Sequence, residues 1–206
     1  MIRLPAHELD HLVVAARTLE QGVAWSEAVI GVRPDGGGQH RFMGTHNRVF
    51  DISSVDRPRA YLEIIAIDPS LPAPRRRRWF DLDDPALQAQ LADSPRLVHW
   101  VARVADIDAA SAELRAQAVD VGRVIDAERG ALRWRISVRD DGRRALDGAV
   151  PALIQWSGAH PTDGLRQCGV RLAALSAPGD PLAAVLEGPR GRVSLTAAVV
   201  SPSSSS

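Results

Sequence analysis

The sequence predicts an α+β fold of two tandem βαβββ modules with curved, mostly antiparallel sheets, helices on the outer faces and a partial βαβ extension at the end. Three observations predict it. A short apolar strand carrying a histidine, Leu9 to Ala15, runs straight into a capped helix, and the same order returns from Leu97. Laid without a gap, His11 falls on His99, Val13 on Val101, the cap Thr18 on Asp106 and Leu19 on Ile107, the mark of an internal duplication. Each helix is followed by three strand-like runs, and one amphipathic helix per copy can cover only one side of a sheet.

In the first copy, Thr18 with Gln21 three residues on makes a capping box. Leu19, Val23 and Ile30 share a helical face and Gly31 stops the helix, which is expected from Leu19 to Ile30. After Gly36, Gly37 and Gly38, strands are expected over Gln39–Phe42, His46–Ser53 and Ala60–Ile67. A stretch rich in Pro, Asp and Arg then links the copies, with a short helix near Pro85–Leu91.

The second copy opens with the strand Leu97–Val104. Asp106 caps a helix from Ile107 to Gln117, with Ile107, Ala110 and Leu114 on one face. Strands follow over Val121–Ile125, Ala131–Val138 and Pro151–Ser157. Beyond them, Cys168–Leu175 reads as a strand, Pro181–Leu186 as a short helix and Arg192–Val200 as a strand. The expected division is residues 1–70 and 96–160 for the modules, 71–95 for the linker, 161–200 for the partial unit and 201–206 for a flexible serine-rich tail.

Composition narrows the function. The chain has 206 residues, 45% hydrophobic and 24% charged, with a formal net charge of zero, so nothing in the balance calls for nucleic acid or an anionic membrane. The run Arg75 to Arg78 reads as a solvated patch. Every basic residue is arginine, which excludes Schiff-base chemistry through a lysine of this chain. No uncharged apolar run approaches the roughly 18–20 residues that span a bilayer. Met1 to Asp10 lacks a signal-peptide core, and the expected location is cytoplasmic. Cys168 is the single cysteine, so neither an intrachain disulfide nor a cysteine zinc cluster can form, and the thiol reads as a small core residue.

Strand alternation places His11 with Leu9 and Val13, Glu63 with Tyr61 and Ile65, His99 with Leu97 and Val101, and Gln155 with Leu153 and Ser157. Each sits among apolar neighbours, where a polar group is costly without a partner. Pairing of the modules about a pseudo-two-fold axis would bring all four to one point. Imidazoles, a carboxylate and an amide oxygen suit a divalent ion such as Zn, Ni, Mn or Fe(II); a metal-free polar cluster in a binding cleft is the alternative.

His11 in "LDHLVVA", Glu63 in "YLEIIA", His99 in "LVHWVAR" and Gln155 in "ALIQWSG" resemble the metal ligands of the vicinal oxygen chelate superfamily. With "GTHN" at Gly44–Asn47, "YLEIIAIDP" at Tyr61–Pro69 and "LRWR" at Leu132–Arg135, the chain looks most like its glyoxalase-like domain family over about residues 7–160. The resemblance implies a divalent metal, a small-molecule substrate chelated through adjacent oxygens, and no nucleic-acid or membrane partner; a homodimer is left open. Gln155 departs from the family, since glyoxalase I has a catalytic glutamate there; an amide cannot shuttle a proton, which leaves Glu63 as the catalytic base. His46, Asn47, Trp100, Trp134 and Arg135 are the candidate substrate contacts. Three classes stand open: a metal-dependent lyase or isomerase, an Fe(II) dioxygenase, and a metal-free small-molecule binder of the resistance type.

Overall fold

In the computed structural model, which describes residues 2–176 and 180–198, eight strands form one mixed sheet in the order β2-β3-β4-β1-β5-β8-β7-β6. The strands are β1 (Glu8–Ala15), β2 (Gly36–His40), β3 (Thr45–Asp51), β4 (Tyr61–Ile67), β5 (Arg96–Arg103), β6 (Arg123–Arg129), β7 (Leu132–Val138) and β8 (Ala152–Trp156). The helices are α1 (Leu19–Trp25), continued by a π-helical turn over Ser26–Ile30, α2 (Pro85–Asp93) and α3 (Ile107–Ala116). The two expected adjacent sheets are thus one, joined through the antiparallel pair β1–β5. Within each half the first strand pairs in parallel with the last, β1 with β4 and β5 with β8.

The pleat divides the apolar residues between two cores. Leu12, Val14, Leu62 and Ile64 pack on the helix side with Leu19, Ile107 and Leu114. Val13, Ala15, Ile65 and Val101 pack on the inner side with Trp79, Phe80 and Leu87. Thr18 accepts from the Gln21 amide at 3.2 Å to start α1, and Asp106 accepts from Asp108 and Ala109 to start α3. Gly22 lets α1 lie directly on β4, since a Cβ there would stand 2.3 Å from Ile64 Cγ2. The linker follows the inner side, where Leu87 and Leu91 of α2 are fully buried.

The expected helix at Pro181–Leu186 is a strand. Ala183–Gly188 (β10) pairs antiparallel with Arg171–Leu175 (β9) and Gly191–Thr196 (β11) in a separate three-stranded sheet. Ala184 and Leu186 are buried and alternate with half-buried Ala183 and Val185, a period of two that Pro181 had disguised as a helix start. Leu172, Ala184, Leu186 and Leu195 join the helix-side core. The expected tail at 201–206 lies outside the described residues.

Candidate active site

One irregularity repeats in both halves and shapes the site. The β1–β5 register slips between Leu9 and His11 and again between Val13 and Val14, leaving Asp10 and Val98 as the unpaired bulge residues just before His11 and His99. At the first bulge Asp10 is fully buried and its Oδ1 accepts from His11 Nδ1 at 2.7 Å. Its Oδ2 accepts from Trp156 Nε1 at 2.9 Å, His160 Nε2 at 3.1 Å and Arg103 Nη1 at 3.4 Å. Burial pushes the Asp10 carboxyl up, but the hydrogen bonds from His11 and His160 outweigh it and hold the group well below the usual carboxylate range. An ionised Asp10 has only acceptors, so His11 Nδ1 carries a proton towards it and Nε2 turns inward.

His11 Nε2 faces Glu63 Oε2 across 3.6 Å. The other carboxylate oxygen, Oε1, accepts from Asn47 Nδ2 at 2.6 Å. Asn47 Oδ1 in turn accepts from Gly38 N–H at 2.9 Å and from Arg129 Nη1 at 3.1 Å. Arg129 Nη1 also donates to His40 Nε2 at 3.1 Å, and His40 Nδ1 meets Thr45 Oγ1 at 3.1 Å. Burial and the nearby Arg129 charge lower the His40 pKa to about 3, so this ring is neutral. Tyr61 stacks on His11 with ring centroids 4.5 Å apart, and burial, with the Asp10 and Glu63 charges behind it, keeps its hydroxyl protonated.

Of these residues, His11, His40, Asn47, Tyr61, Glu63 and Arg129 line one inner cavity, with Trp134, Ile136, Ile154 and Trp156 from the second half of the sheet and Trp79 and Phe80 from the linker. Of the sequence candidates, the structure brings together His11, Glu63, Asn47 and Trp134. His99 shares the inner face but lines a second cavity, where its Nε2 accepts from Ala152 N–H at 3.0 Å and its ring lies 5.2 Å from Phe80. Burial and the Arg144 charge hold His99 neutral, and its buried Nδ1 has no partner, because Val98 stands where Asp10 stands for His11. Gln155 turns to the helix side, where Oε1 accepts from Ile107 N–H at the start of α3. Val13 pairs with Glu63 and Val101 with Ala152, so the register makes Ala152, three residues earlier, the second-half counterpart of Glu63.

His46, Trp100 and Arg135 also lie outside the cavity. His46 faces Asp68 at 3.5 Å, Trp100 is buried on the helix side with its indole N–H on Gly148 O, and Arg135 pairs with Asp108 at 2.7 Å. No local sequence pattern marks Asp10, His40, Arg129, Trp156 or His160 as site residues, and His40, 6% exposed, is buried within the site.

The profile of the glyoxalase-like domain family matches residues 9–188. The chain belongs to the glyoxalase-like domain family. It is thereby a member of the vicinal oxygen chelate superfamily. No curated protein matches it. Among solved structures, a hypothetical protein from Staphylococcus aureus is similar at 13% identity and a TM-score of 0.55, over 95% of this chain and 88% of that one. Methylmalonyl-CoA epimerase from Mycobacterium tuberculosis is similar at 20% identity and a TM-score of 0.42, over 76% of this chain and 91% of that one. For a single-residue variant of the Streptomyces coelicolor methylmalonyl-CoA epimerase, in complex with 2-nitronate-propionyl-CoA, the values are 20%, 0.46, 74% and 96%.

The residues of this glyoxalase-like protein do not fit the divalent ion that the resemblance implies. A catalytic zinc takes three protein ligands. Here Ala152 fills the fourth position, His99 Nε2 is engaged by a backbone amide, and His40 Nε2 accepts from a guanidinium. That leaves His11 and Glu63. Among the described residues no group of three or more His, Cys, Asp or Glu is placed to hold a metal ion. The Arg129 cation occupies the end of the same polar strip and would repel a second positive charge.

Proposed function

We propose that this protein is an isomerase or lyase that moves a proton on a small oxygenated substrate, with Glu63 as the base. The observation that carries the reading is the pair His11 Nε2 and Glu63 Oε2. They face each other across 3.6 Å, with the Nδ1–H of His11 committed to Asp10. Such a pair can share a proton between its facing atoms. In the proposed step Glu63 Oε2 removes a hydrogen from the carbon beside a carbonyl, and the new O–H is held by His11 Nε2 until it returns to the substrate. The oxyanion that forms needs fixed donors or positive charge. Arg129, at the other end of the strip, is the group that supplies positive charge.

Nothing in this scheme passes through a metal, which departs from the metal-dependent chemistry the resemblance implies and from the Fe(II) dioxygenase alternative. A metal-free binder is the second reading, favoured by the aromatic side chains that line the cavity. Exchange in D₂O separates the two. The protein is incubated with a panel of enolisable 2-oxo acids and ketones, and loss of the α-hydrogen signal is followed by proton NMR. Catalysed exchange that disappears in Glu63→Gln supports the enzyme; tight binding without exchange supports the binder.

A further inference from the structure

The two halves of the cavity have diverged into unlike surfaces, and the contrast describes what fits between them. The polar strip (His11, Glu63, Asn47, His40) comes from the first half of the sheet, and the wall facing it (Trp134, Ile136, Ile154, Trp156) from the second. The chain has only five Trp, one Tyr and three Phe. Three of those tryptophans, the tyrosine and Phe80 line this one cavity. Trp134 and Trp156 lie side by side at 5.4 Å and 41°, and the Trp156 indole N–H is committed to Asp10. That wall offers aromatic surface, and the indole N–H of Trp79 in the same cavity is buried without a partner. A flat ring would meet the indoles in the offset or tilted contacts that aromatic pairs prefer.

Charge supplies the second half of the description. Arg129, half-buried at the cavity margin, uses Nη1 to donate to two neutral acceptors, Asn47 Oδ1 and His40 Nε2. Among the described residues it forms no ion pair, although Asp108, Asp120, Asp140 and Asp141 each pair with other arginines of the same half. A guanidinium without an ion-pair partner at the margin of this cavity calls for an acid from outside. Arg129, Val49 and Pro161 also line an open groove between the edge strands β2 and β6, so the same residue meets a ligand coming in from solvent.

We infer that the substrate is a flat, ring-bearing organic acid, its ring on Trp134 and Trp156 and its acidic oxygens on Arg129. This rests on the reading of the cavity as the reaction site and narrows it to a substrate class.

Calorimetric titration of the full chain with phenylpyruvate, and with pyruvate as its ringless counterpart, tests the inference. Phenylpyruvate is expected to bind at least ~10-fold more tightly than pyruvate, since ring burial adds well over the ~1.4 kcal/mol that a tenfold ratio needs. Arg129→Met should weaken phenylpyruvate at least ~10-fold, a loss in line with a charged hydrogen-bond partner. Trp134→Leu, with Trp156→Phe as the milder variant should the first not fold, should bring the two ligands closer together. Equal binding of both acids, no phenylpyruvate binding, or an Arg129→Met variant that binds as the parent does would overturn it. Bound phenylpyruvate whose C3 hydrogens never exchange would leave the substrate class standing and remove the proton-transfer reading. Exchange confined to ringless acids would do the reverse.

Discussion

Asp10 and Val98 occupy equivalent β-bulges, each one residue before a buried histidine, and this single difference separates the fates of His11 and His99. With a carboxylate behind it, His11 has its Nδ1–H fixed and presents Nε2 to Glu63. With a valine behind it, His99 keeps an unpartnered Nδ1 and turns Nε2 to the backbone of Ala152. A duplicated fold has kept the geometry of both bulges and the chemistry of one.

Asp10→Asn keeps the shape but removes the charge that fixes His11. Loss of such a supporting carboxylate typically costs 10–100-fold in activity, and proton exchange on a working substrate is expected to fall by about that factor. Nitrogen NMR of the imidazole should show the His11 proton shared between Nδ1 and Nε2. An unchanged rate and tautomer would show that Asp10 is only structural.

Acid should destabilise the protein well above the carboxylate range. His40, ordinarily near 6.5, is held at about 3 by burial and the Arg129 charge, and His99 is lowered by burial and the Arg144 charge. The unfolded chain therefore binds protons near pH 6.5 that the folded chain refuses. Stability is full above that pH and is lost as the pH falls below it, by at most about 1.4 kcal/mol per pH unit for each histidine. Urea unfolding between pH 7.5 and 4.5 checks this, and His40→Gln should remove one proton's share of the slope.

Gln155→Ala distinguishes a helix-supporting residue from a site residue. Its Oε1 satisfies the Ile107 N–H at the start of α3, and loss of that bond should cost about 0.5–1.5 kcal/mol in chemical unfolding. Ligand binding and proton exchange should not change. A selective loss of either would place Gln155 back at the site.

Gly37→Ala is expected to damage the site through the backbone. At φ +132°, a Cβ on Gly37 would stand 2.2 Å from Asn47 O, in the β2–β3 ladder that carries Asn47 to Glu63. The strained conformation alone should cost about 1–3 kcal/mol. Thermal unfolding should show that loss, and exchange should fall with it as Asn47 moves.

The duplication, the inward faces of β1 and β4, and the helix caps were legible because alternation and capping are local rules, and α1, α3 and Glu63 follow them. Asp10 was not legible, because a bulge breaks the alternation from which its direction would be read. Gln155 was misplaced for a related reason. The ungapped alignment holds from His99 to Ile107 but drifts by the last strand, where Ala152 is the true counterpart of Glu63. Arg129 and His40 lie at the ends of the edge strands β6 and β2, which meet only because the sheet curves round on itself. No local pattern records that contact.

The central claim is that Glu63 takes the substrate proton, and Glu63→Gln tests it most directly. The amide preserves shape, so folding by circular dichroism and binding of a ring-bearing acid should persist. Exchange of the substrate's α-hydrogen with D₂O, followed by NMR, should fall by roughly 10²–10⁴-fold, the range general-base catalysis contributes. Exchange by Glu63→Gln at the parent's rate would contradict the account.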